Sequence, residues 1–127
     1  EHDTFARHLD IELLEVAAGR ARARMPLDAR HVNALKMAHG GAIFALADLA
    51  LAAAANSHGT VAVAVNVSIT YHAAGTGPYL EAEAREIHRN FKLGSYEVRI
   101  TDAQGELVAT FNGLVYRKKE KVGEAAG

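Results

Sequence analysis

HGGAIFALADLALAAAANSHG, residues 39–59, is the stretch whose reading decides the fold. Ile43, Phe44, Leu46, Ala47, Leu49, Ala50 and Leu51 leave it no polar face, and a helix apolar all round is a buried helix. Asn56 and Gly59 supply its stop signal. Gly40 and Gly41 open it without Cβ atoms, so another group can approach the first amides. The apolar run from Gly41 to Ala55 contains Asp48 and is about 15 residues, whereas a membrane span needs roughly 20 with few charges.

Outward from this helix the chain reads as strands. Residues 9–26 form two short strands joined near Ala18-Gly19, with Ala21, Ala23 and Met25 alternating with a solvated face of Arg20, Arg22 and Arg24. Residues 28–38 are irregular. After the helix, residues 61–72 place Val61, Val63, Val65, Val67 and Ile69 on one face and Ala62, Ala64, Asn66, Ser68 and Thr70 on the other. Gly75 to Pro78 is a turn. Residues 79–89 and 92–102 alternate again, and Ala103-Gln104-Gly105 turns the chain into a last strand before a polar, loose tail at 118–127. The order is two strands, one long helix, four strands. That predicts one α+β domain over residues 1–127, an antiparallel sheet wrapped around one apolar helix. One sheet cannot cover a helix that is apolar on every side, so a second copy of the chain is expected to seal the rest.

Composition narrows the functions. The 127 residues carry 14 Lys+Arg against 15 Asp+Glu, which gives no whole-molecule field for nucleic acid. The absence of cysteine excludes a disulfide scaffold and thiol catalysis. Alanine supplies 26 residues, and such small side chains favour close helix packing. With no charged segment leading into an apolar one at the start, a cytoplasmic location is the expectation. There is no GxSxG elbow, no HExxH and no Walker loop. The seven histidines form no tight ligand cluster; His2, His8, His58 and His72 read as surface or loop residues. No metal and no cofactor are expected.

Asp48 is the polar group that interrupts the helix. An ionised carboxylate in apolar surroundings is costly unless paired, wet or functional. Two readings stand: a structural carboxylate reaching a loop or interface donor, and a general base or nucleophile. His39-Gly40-Gly41 favours the second, because free amides at a helix start stabilise negative charge and would meet an oxyanion developing on a carbonyl. Gly40 precedes Asp48 by eight residues, roughly 12 Å of helix rise. One chain cannot bring both to one carbonyl, but two antiparallel helices across a two-fold axis can. The spacing therefore predicts two composite sites per dimer. The turn His88-Arg89-Asn90-Phe91-Lys92 reads either as a solvated connection or as a basic contact for phosphates.

HGGAIFALAD at 39–48, with Asn33 six residues before His39, then ANSHG and VNVSITYHAAG, resembles the hotdog-fold acyl-CoA thioesterases, within them the PaaI type of phenylacetic acid degradation. The likeness spans residues 5–117. It implies that Asp48 activates water or attacks the thioester carbonyl, and that the Gly40 amide polarises that carbonyl. It implies that Asn33 orients the acyl group or the water, and that His39 holds this loop and Asn33 in place. Gly41 falls in the substrate site. Tyr71, Arg89, Asn90 and Lys92 fall where such proteins contact the coenzyme A arm. The implied substrate is an acyl-CoA of phenylacetyl or hydroxyphenylacetyl type, and the implied assembly is a homodimer, paired into a homotetramer. Where some members hold the water with a strand serine, this chain has Ala64, with Asn66 and Ser68 nearby, so nucleophilic and general-base mechanisms stay open. The alternatives are a non-catalytic acyl-CoA-sensing module, which would need no carboxylate at the thioester, and a hotdog dehydratase, whose proline-rich segment before the helix is missing.

Overall fold

The computed structural model describes residues 4–122. Its elements, in chain order, are α1 (Thr4–His8), β1 (Glu12–Ala17), β2 (Arg20–Pro26), α2 (Gly40–Asn56), β3 (Thr60–Tyr71), β4 (Tyr79–Arg89), β5 (Leu93–Asp102) and β6 (Leu107–Lys121). The six strands make one antiparallel sheet in the order β1-β2-β4-β5-β6-β3, and α2 packs against it. This is the α+β wrap that the alternation predicts; α1 carries too short a pattern to be read in advance.

Strands β2, β4, β5 and β6 form because each presents an apolar row to the core under α2, whereas β1 buries no residue. Ala21, Ala23 and Met25 of β2 and Leu80, Ala82 and Ala84 of β4 are buried beneath the helix. Their outward neighbours pair across the strands: Arg24 donates to Glu81 at 2.8 Å and Arg20 to Glu83 at 3.0 Å. The arginine row is the expected solvated face. Alanines under the helix let it sit low, and Gly113 of β6 goes further, since a Cβ there would stand 2.7 Å from Leu51 Cδ2. The core closes with Leu46, Leu51, Tyr96, Ile100 and Phe111, and Phe44 meets Phe111 edge-on with ring centroids 5.3 Å apart.

Two features depart from the periodicity. The register of β3 against β6 shifts between Ala64 and Asn66. This bulge reverses the strand's faces: Ala62 packs with the core before it, and Val67 and Ile69 after it, while Val63 and Val65 are exposed. The valines therefore do not share one face. Second, β6 continues to Lys121, so residues 118–121 are strand rather than loose tail. Thr60 pairs with Lys121, and solvent around this strand end removes the need for apolar alternation. Residues 123–127 of that expected tail lie outside the described residues. As one sheet around an all-apolar helix implies, α2 is not covered on every side. Gly41, Asp48 and Ala52 are exposed and Ala45 is half-buried, a stripe at helical spacing. Asp48 is thus not enclosed by its own chain, because the sheet wraps only the opposite face.

Candidate active site

The loop before α2 is fastened from below. His31, fully buried, holds Leu9 O at 2.6 Å through Nε2, and its own carbonyl accepts the His39 N–H at 2.7 Å. Arg30 donates to Asp28 and Asp10, each at 2.6 Å, and to His8 O at 2.8 Å. The Arg30 bonds hold the Asp28 carboxyl well below the usual carboxylate range. Asn33 folds the tip: its Oδ1 accepts the N–H groups of Leu35 at 2.9 Å and Met37 at 3.2 Å. Asn33 is therefore half-buried with its oxygen spent on the loop, which leaves its amide nitrogen as the group able to reach outward.

His39 caps α2 with its backbone, and its side chain makes no capping hydrogen bond. Among the described residues, bonds that hold the loop come from His31 and from the backbone of His39. The His39 carbonyl accepts both Ala42 N–H at 3.0 Å and Ile43 N–H at 3.1 Å. Among the described residues, the N–H groups of Gly40 and Gly41 find no acceptor in the chain, as the first turn of a helix requires. Tyr71, the last residue of β3, donates its hydroxyl to Gly40 O at 2.9 Å. A Cβ on Gly40 would lie 3.2 Å from that hydroxyl, whereas one on Gly41 would meet nothing within 4 Å.

Two turns further along α2, Asp48 stands at the edge of a cavity of about 240 Å³. Leu51, Ala52 and Ala55 of the helix, Ala62 to Ala64 of β3 and Val115 of β6 complete its wall. Ala64 is thus in the same cavity as Asp48. The bulge turns Asn66 and Ser68 into a separate concavity with Ser95 and Asn112.

Residues 35–109 match the thioesterase superfamily. The chain belongs to this superfamily. The acyl-coenzyme A thioesterase PaaI of Escherichia coli is 36% identical over 118 residues, 92% of this chain and 84% of its own. The structure of E. coli PaaI, from the phenylacetic acid degradation operon, superposes with a TM-score of 0.90 at 33% identity, over 94% of this chain and 88% of that one. A protein of Archaeoglobus fulgidus is 42% identical over 121 residues, 94% of this chain and 79% of its own. The fold is the hotdog fold, and the chain is a thioester hydrolase of the PaaI type.

In this thioesterase the β4–β5 turn is built by Asn90, whose Oδ1 accepts Lys92 N–H at 2.9 Å and Leu93 N–H at 2.7 Å. Arg117 of β6 donates to Asn90 O at 2.6 Å, adding a cation that the five-residue reading misses. Arg89 leans on Glu86 at 4.0 Å, while Lys92 is exposed. Arg117 pairs with Ala62, so the basic turn lies beyond the Ala62 end of the Asp48 cavity, not at the Gly40 end of α2. His58 lies in the turn between α2 and β3, a loop position as expected. It is half-buried and donates to Glu86 Oε1 at 2.7 Å, beside a 3.0 Å bond from Tyr96. Burial raises the Glu86 carboxyl, but these two donors outweigh it and leave it lowered. The bonds of His31 and His58 escape sequence reading because a lone histidine in a loop carries no periodic signal. No described helix is long and apolar enough to cross a membrane.

Proposed function

We propose that this thioesterase hydrolyses an arylacetyl-CoA, of phenylacetyl or hydroxyphenylacetyl type, to the free acid and coenzyme A. The carrying observation is the pairing on one uncovered helix stripe of a carboxylate beside an alanine-lined cavity with two acceptor-less glycine amides. A cavity of about 150 Å³ suffices for benzene, so about 240 Å³ at Asp48 has room for a ring and its methylene. The name of the E. coli relative supports the acyl-CoA class.

In this reading the thioester carbonyl oxygen meets the Gly40 and Gly41 amides of one chain, and Asp48 comes from a second copy. The open edge of β3 supports such pairing. Among the described residues this strand of 12 residues pairs only with β6, leaving Val63 and Val65 exposed beside an unpaired backbone edge. Two courses fit. Asp48 takes a proton from a water that attacks the carbonyl carbon, or Asp48 attacks and water later cleaves the anhydride. In both, negative charge builds on the carbonyl oxygen as the nucleophile adds and is met by the amides; its return to the C=O bond breaks the C–S bond and the thiolate leaves. Arg89, Lys92 and Arg117 would face the phosphates of coenzyme A, which enters as part of the substrate, so no cofactor is called for. Asp48→Asn keeps the side chain's shape and removes the base. Thiol release from phenylacetyl-CoA should fall at least ~100-fold in kcat; release at the unchanged rate makes Asp48 structural.

A further inference from the structure

We propose that Tyr71 is a positioning residue, which orients the amides at the start of α2 by holding the Gly40 peptide. This rests on the role given above to those amides. The resemblance puts Tyr71 on the coenzyme A arm, but its hydroxyl is committed elsewhere, donating to Gly40 O at 2.9 Å. That oxygen and the Gly41 nitrogen belong to one planar peptide unit. A donor fixed on the oxygen therefore fixes the direction of the Gly41 N–H. It also draws charge from the carbonyl and so strengthens that N–H as a donor.

The site needs such a fixture. Gly40 and Gly41 are adjacent glycines, the residue with the most backbone freedom. His39 offers no side-chain cap, and the next two amides, of Ala42 and Ile43, are already spent on His39 O. Amides that stabilise developing charge must be aimed before the charge appears. The Tyr71 ring completes the clamp, with its Cζ 3.3 Å from the place a Gly40 Cβ would take. It reaches there because the bulge in β3 turns the end of the strand toward the helix.

Tyr71→Phe keeps the ring and removes the hydroxyl, and the half-exposed position tolerates the change. Two readouts decide: acyl-thioester kinetics, and the NMR shift and exchange rate of the Gly41 amide without substrate. We expect kcat to fall about tenfold with KM nearly unchanged, as for an interaction felt only in the transition state. The same fall should appear with an acyl N-acetylcysteamine thioester, which lacks the nucleotide. The Gly41 amide should shift and exchange faster, with the melting temperature nearly unchanged. A raised KM with kcat intact, confined to the coenzyme A ester, makes Tyr71 a substrate contact and overturns the proposal. An unmoved Gly41 amide, or a moved amide with unchanged kcat, overturns it too. If the unsubstituted protein releases no thiol from any acyl-CoA, the functional reading fails instead, and the Gly41 amide still decides whether Tyr71 orients it.

Discussion

Glycine at position 41 has no steric reason within one chain. At Gly40 a Cβ would crowd Tyr71, but at Gly41 it would stand in open space. Alanine is favoured over glycine in helices by up to about 1 kcal/mol, so packing within the chain would prefer Ala there. The missing methyl makes sense if substrate or a second chain approaches the amide. Gly41→Ala should hold or raise the melting temperature while lowering kcat/KM, checked by calorimetry and thiol release on one preparation. Gly40→Ala should lower both, because its methyl displaces Tyr71. Asp48 shows the limit of residue-level reasoning. Its apolar neighbours along the chain suggest a buried charge, but the sheet covers the other side of α2 and leaves the carboxylate exposed.

The loop from Asp28 to His39 behaves as one element, tied to residues 8–10 by Arg30 and His31. Asp28 anchors it as a carboxylate whose folded pKa lies below its unfolded value of about 3.9. A group depressed in this way stabilises the fold fully above its unfolded pKa and progressively less as pH falls toward the folded one. Asp28→Asn should therefore lower the melting temperature at neutral pH. The gap to the unsubstituted protein should narrow below about pH 4, read from melting curves across a pH series. Elements that carry their own period were legible: α2 from its unbroken apolar run, β2, β4 and β5 from strict alternation. The bulge in β3 was not, because five alternating apolar residues fit a straight strand equally well and only pairing with β6 shows the slip. Of the site, Asp48 and the two glycines were legible through their spacing. The bonds of His31, Tyr71 and Arg117 were not, since each joins residues far apart in the chain.

For the whole molecule, the proposed site needs two chains. Asp48→Asn chains and chains carrying a bulky residue at Gly40 should each be inactive alone. Mixed and allowed to exchange, they should regain activity through dimers with one intact site. No recovery after exchange shown by mass spectrometry would place the whole reaction within one chain. The slip in β3 has a consequence of another kind for this architecture. Before it the strand lines the Asp48 cavity; after it the same strand delivers Tyr71 to Gly40. Removing Val65 would restore a regular pleat that leaves Val67, Ile69 and Tyr71 on the face they share with Ala62, whereas removing Ser68 would keep the bulge and swing Ile69 and Tyr71 to the opposite face. Substitution at Val65, which is exposed, should cost little by comparison. Between the two ends of the proposed site, the gene thus encodes a length more strictly than a composition, and a codon lost after the bulge is the graver lesion.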